Sequence, residues 1–155
     1  MSSPFPIADD LATGVAAAVA VTGELMVAGV VEAKSPWAPF NAVAPLLLTP
    51  DAAEQRGWQP VATPVGLGVT FGGVAAWAAL HRFLFRRWSS RPDCPWTEAL
   101  AAGALAAGTL VLFDYRLLPV ERRPRFQRWL SWGAIAAKYA VLGAVVALSR
   151  PAAHP

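Results

Sequence analysis

Charge is scarce in this chain, and cysteine is nearly absent. Only 15% of the 155 residues are charged, against about 25% in ordinary soluble domains. Long stretches therefore have little with which to meet water. Leu11–Ala33 holds only Glu24 and Glu32, Val61–Leu80 and Ala99–Phe113 hold no charge, and Leu130–Ser149 holds only Lys138. The single cysteine, Cys94, excludes an internal disulfide and a two-cysteine metal site within one chain. MSSPFPIADD has no Lys or Arg, so it lacks the positive n-region of a cleavable signal peptide, and the first helix is expected to stay in the mature protein. Walker, dinucleotide and HExxH patterns are missing, as is a GxSxG elbow. The two histidines, His81 and His154, are not spaced as metal or haem ligands. The expectation is a protein that is not an enzyme and holds no cofactor or metal. A net charge of +3, with arginines gathered at segment ends, suits phospholipid headgroups rather than nucleic acid.

Apolar residues make up 55% of the chain, and they lie in runs. A helical bilayer crossing needs about 20 largely apolar residues. Three segments reach that length, the third only by extending to Leu118, past Asp114 and Arg116. The sequence thus predicts an all-α polytopic membrane protein, with one membrane domain over residues 1–155. Four transmembrane helices are expected, at roughly 10–34, 61–85, 97–118 and 125–149. Asp9 and Asp10 precede the first, where acidic groups favour the positive end of the helix dipole, and Pro36 stops it. Pro124 opens the last, with Trp129 and Trp132 at the interface. Between the first two helices, SPWAPFNAVAPLLLTPDAAEQRGWQP holds five prolines and two tryptophans. Its apolar run around Asn41 is too short to span. It reads as a short interfacial or re-entrant segment with Trp37 and Trp58 at headgroup level; a soluble loop is the plainer alternative.

Small residues recur at helical spacing. Gly68 and Gly72 form a GxxxG match, read as close packing within the chain rather than a dimer. Gly103 and Ala107 in the third helix, and Ala134, Ala137 and Gly143 in the last, repeat the theme. Trp77, deep in the second helix, reads as packing, and His81 at its end as an interfacial polar group. Arg86, Arg87 and Arg91, with Trp88 and Trp96, form a basic aromatic border.

The candidate site residues are the polar groups that such helices carry inside or at the edge of the bilayer: Glu24, Lys138, Asp114, Arg116 and Asn41. Asp114 shares a helix face with Leu110, Ala107 and Gly103, so it is expected to point into the bundle. There it would take loop amides or pair with Arg122, Arg123 or Lys34. Arg116, two residues on, faces elsewhere and reaches the headgroups. Glu24 and Lys138 would each cost about 3 kcal/mol alone near a helix centre. Glu24 lies about 14 Å from one membrane face and Lys138 about 12 Å from the same face, at 1.5 Å per residue. A direct or water-bridged Glu24–Lys138 pair that fixes helix register is therefore expected; the plainer alternative is a snorkelling lysine and a protonated glutamate.

FDYRLLPVERRPRFQRWLS resembles a stretch in small bacterial inner-membrane proteins in which Asp-Tyr-Arg, a proline and a basic run precede the last helix. PFNAVAPLL is similar to an Asn-Ala-Val element between their first two long helices. That element usually continues with Ser-His, whereas here Asn41-Ala-Val is followed by Ala44 and Pro45. The resemblance covers two short windows. It implies a four-helix membrane fold in the bacterial inner membrane and no assigned activity.

The leading functional expectation is a small integral membrane protein of structural or accessory type, a subunit within a larger assembly. Its partners would be the lipid bilayer and either another membrane protein or further copies of itself. The alternative is a small oligomeric transporter or channel using Glu24 and Lys138. With four crossings, seven basic residues fall on the side away from the termini and five on the side of the termini, so the positive-inside rule places both termini outside the cytoplasm.

Overall fold

The computed structural model describes residues 6–89 and 96–149. The expectations for Arg91, Cys94, Arg150 and His154, and for the side chains of Arg86, Arg87 and Trp88, lie outside the described residues. Everything described is helix, turn or loop, with no strand among the described residues. Three helices are long and apolar enough to cross a membrane: Ile7–Ala33, Ala62–Phe85 and Trp96–Leu117. A fourth apolar helix, Trp132–Leu148, is shorter.

Helix α1 spans Pro6–Ala33. It starts earlier than the sequence suggests, because a proline is tolerated in the first helical turn. Asp9 and Asp10 therefore lie inside it rather than ahead of it. It ends in a left-handed cap: Lys34 takes the left-handed conformation at φ 56°, and the Ser35 amide donates to the Gly29 carbonyl, six residues back, at 3.0 Å. Pro36 then prevents continuation. The chain makes one helical turn, α2 (Ala38–Asn41), and two 3-10 turns, Ala44–Leu46 and Pro50–Glu54. Every residue from Ala38 to Pro45 is buried. The segment is a plug drawn into one end of the bundle, with only its Leu46–Gln59 half nearer the surface. Trp37 and Trp58 meet edge to face, with ring centres 5.0 Å apart.

Helix α3 spans Ala62–Ser89. Its buried face runs through Ala62, Gly66, Thr70, Val74 and Ala78, one residue per turn. Gly66 packs so closely on the plug that an added Cβ would sit 1.9 Å from the Phe40 carbonyl oxygen. Gly68 and Gly72 do not serve the packing expected of them. They lie on the other side of α3, exposed, and a Cβ on either would meet nothing within 4 Å.

Helix α4 spans Trp96–Leu112 and runs into a π-helical turn, Phe113–Leu117. Two 3-10 turns, Val120–Arg122 and Phe126–Arg128, lead to α5 (Trp132–Leu148). Pro124 therefore does not open the last helix; it is buried in the connecting loop. The start of α5 is set at Ser131, whose hydroxyl accepts from the Ala134 amide at 3.2 Å. Glu32, at the end of α1, takes the Ser131 amide at 2.5 Å and its hydroxyl at 2.7 Å. A carboxylate at a helix N-terminus meets its unpaired N–H groups and the positive end of the dipole. This contact fixes α1 and α5 as antiparallel neighbours.

Around the bundle, α1 packs on α3 and α5, and α5 packs on α4. Gly14 of α1 lies against the Ala75 carbonyl of α3, where a Cβ would come to 2.4 Å. Gly103 of α4 faces Gly143 of α5, whose carbonyl oxygen would be 2.2 Å from an added Cβ. These glycines, not the GxxxG pair, set the close helix approaches.

Candidate functional site: a buried ion pair beside an open apolar pocket

The polar centre of the bundle is built on the π-helical turn after α4. Its widened backbone, in which the Leu118 amide donates to the Phe113 carbonyl at 3.2 Å, carries Asp114 inward and leaves Arg116 exposed. Asp114 does share the buried side of its helix with Leu110 and Gly103. Its partners, however, are not loop amides, Arg122, Arg123 or Lys34. Asp114 Oδ2 accepts from Lys138 Nζ at 3.1 Å and from the Tyr139 hydroxyl at 2.7 Å. Asp114, Lys138 and Tyr139 are each 7% exposed or less. The ammonium also lies 4.4 Å from the ring centres of Phe126 and Tyr139, where ring quadrupoles attract a cation.

The direct Glu24–Lys138 contact is absent: Lys138 makes its ion pair with Asp114, and none joins it to Glu24 among the described residues. Helix α5 begins at Trp132, so Lys138 is only about 9 Å along it at 1.5 Å per residue. That depth brings it level with the π-helical turn, whose Asp114 takes the direct contact. Glu24 is half-buried and within electrostatic reach of Lys138, yet its Oε2 is buried with no hydrogen-bond partner among the described residues.

The supposed alternatives for Asp114 are engaged elsewhere, Arg122 in holding the plug. Arg122 donates to the carbonyls of Pro45, Leu46 and Leu48 at 3.2–3.4 Å. Arg123 donates to Leu118 O and Lys34 to Val31 O. Asn41, wholly buried, is the plug's anchor. Its amide donates to the Gln55 and Gly57 carbonyls, both at 2.8 Å, and its Oδ1 accepts from Thr63 Oγ1 at 2.8 Å. Trp129 Nε1 donates to the Ala53 carbonyl at 2.9 Å, and Arg128 pairs with Glu54.

A second polar link joins α3 to α4 further along. Trp77 Nε1 donates to the Ala106 carbonyl at 3.1 Å. His81 is buried; its Nδ1 bonds the Trp77 carbonyl and its Nε2 meets Thr109 Oγ1, both at 3.0 Å. Arg82 pairs with Asp10 at 3.5 Å, tying α3 to α1. Between these links and the ion pair, α3 and α4 stand apart. A half-open pocket of about 320 Å³ lies there. Its walls are apolar apart from Thr70, Asp114 and Lys138.

Of the five residues singled out in the sequence, the structure joins Asp114 to Lys138, leaves Glu24 nearby, and sends Asn41 and Arg116 elsewhere. Tyr139, Thr70 and the Trp77–His81–Thr109 link were not anticipated. Tyr139 carried a usable signal, being the polar aromatic next to Lys138 in an otherwise apolar helix. Among the described residues, no three His, Cys, Asp or Glu side chains converge as metal ligands. No family model, curated protein or solved structure matches this chain.

Proposed function

We propose that this chain is a small integral membrane protein of structural or accessory type, a subunit of a larger membrane assembly. In this reading it crosses the bacterial inner membrane four times, with both termini outside the cytoplasm. The observation that carries it is the closure of the buried charges on one another. Asp114 and Lys138, the groups best placed for membrane ion chemistry, are joined to each other and to Tyr139 at the seam between two helices. A paired buried charge of this kind specifies helix arrangement without adding net stability. Arg122, Arg123 and Arg128 are likewise engaged with carbonyls and a carboxylate of the same chain. The unpartnered Oε2 of Glu24, in the field of Lys138, favours the second reading, a small oligomeric transporter or channel.

Purification from native membranes, followed by mass measurement, separates the two. A distinct partner at fixed stoichiometry supports the accessory reading. A pure homo-oligomer that moves a solute in liposomes, and stops doing so on Glu24→Gln, replaces it with the second. Orientation is tested by a cytoplasm-active reporter fused after Pro155, which is expected to be silent.

A further inference from the structure

The pocket between α3 and α4 has the makings of a ligand site. Its volume of about 320 Å³ falls at the small end of ligand cavities, which run from about 300 to 1,000 Å³. Its open side is flanked by Gly73, Ala76 and Leu80, exposed residues in the middle of α3. Because α3 is long and apolar enough to cross a membrane, that opening faces the hydrocarbon layer rather than water. A ligand that enters there is a lipid.

Two donors at the inner end are underused. Thr70 is 5% exposed, lines the pocket, and its Oγ1 is buried without a hydrogen-bond partner among the described residues. A buried hydroxyl left unpaired costs about 1–3 kcal/mol, so its position calls for a partner. Lys138 has three N–H donors; one goes to Asp114, and the ammonium otherwise faces aromatic rings.

Charge decides the nature of the head. Asp114 and Lys138 together are neutral, and Glu24 is the further acidic group within the field of Lys138. An anionic headgroup would bring a second negative charge beside Asp114, whereas an uncharged acceptor would meet two donors. The walls narrow the choice further. Trp77 and Phe113, with ring centres 5.5 Å apart, and Phe126 line the same space. Aromatic rings of this kind favour a planar ring in offset or edge contact.

We propose that this pocket binds a quinone-type lipid: an uncharged, carbonyl-bearing ring on an apolar tail. The ring sits among Trp77, Phe113 and Phe126, and its carbonyl oxygens accept from Thr70 Oγ1 and Lys138 Nζ. The tail leaves sideways past Gly73 into the bilayer. The site is one of binding and stabilises the α3–α4 opening.

The full chain in detergent, titrated with a short-tailed benzoquinone, tests this by calorimetry and by thermal unfolding. Saturable heat and a saturable rise in Tm are expected. Thr70→Val keeps the side-chain shape and removes the donor; it is expected to weaken binding about five- to tenfold. Gly73→Leu, built where a Cβ meets nothing within 4 Å, is expected to block the mouth and abolish binding without lowering the ligand-free Tm, since leucine has the higher helix propensity. A medium-chain fatty acid and a diacylglycerol serve as the anionic and the non-planar comparison. Tighter binding of either one overturns the assignment of the head. Quinone binding that Thr70→Val and Gly73→Leu both leave unchanged overturns the site.

Discussion

Helix α4 is held on its two sides by different means. Toward α5 the backbones touch at Gly103 and Gly143, and the seam is locked at its end by Asp114, Lys138 and Tyr139. Toward α3 there is no such approach. The helices are bridged by the Trp77 indole and by His81 with Thr109, and a pocket opens beyond them. Glycine is available on both sides, since α3 carries Gly68, Gly72 and Gly73. What differs is which face those glycines occupy. Small residues close a seam only where they are opposed, so a count of glycines says little about packing until their rotation around the helix is known.

The lock is the first place to test this contrast. Asp114→Ala strands the Lys138 ammonium in the bundle, and breaking a buried pair in this way costs about 3–5 kcal/mol. A large fall in Tm in detergent is therefore expected. Arg116→Ala, on an exposed side chain, is expected to leave Tm nearly unchanged. Adding Lys138→Met to Asp114→Ala is expected to recover much of the loss, because no uncompensated charge then remains. Equal losses for Asp114 and Arg116 would break the distinction between the locked seam and the exposed turn.

Backbone contact comes next. Gly103→Ala forces a Cβ against Gly143 O and is expected to cost about 1–3 kcal/mol through overpacking. Gly108→Ala, on the same helix with nothing within 4 Å of its Cβ, is expected to cost nothing and to gain up to about 1 kcal/mol in helix propensity. Thermal unfolding of the two variants side by side is the measurement; similar losses would mean that α4 has no privileged side.

On the looser side, Trp77→Phe removes one hydrogen bond and keeps a ring. A loss of about 1 kcal/mol is expected, with faster hydrogen exchange in the facing stretch of α4 and little change in α5. The smallest effect belongs to Glu24. In a double-mutant cycle, Glu24→Gln with Lys138→Met is expected to show less coupling than Asp114→Ala with Lys138→Met, because Glu24 makes no direct contact. A larger Glu24 coupling would restore it as the true partner of Lys138.

Most of the framework was readable from the chain; side-chain partners and helix rotation were not. The charge-free runs located the helices, since little but burial in lipid or protein explains them. The inward turn of Asp114 followed from its spacing to Gly103 and Leu110. A direct Glu24–Lys138 contact is displaced by Asp114, which takes the ammonium itself while Glu24 stays within the field of Lys138. The GxxxG reading failed for lack of any sequence signal for rotation. The plug was legible as something inserted, from its prolines and apolar run. The three-way grip of Asn41 depends on carbonyls fourteen and sixteen residues away, which no local pattern reveals.

The Glu32–Ser131 contact bears on how the protein is made. Helix α5 has 17 residues, at the short end of a helical crossing, and carries a lysine, a charge that costs about 3 kcal/mol near a helix centre. Its start is capped by the end of α1, and its lysine is neutralised by the turn after α4. Both groups leave the ribosome before α5 does. The groups that receive the start of α5 and its lysine are thus already made when α5 appears, and the last helix docks on partners the earlier ones have put in place.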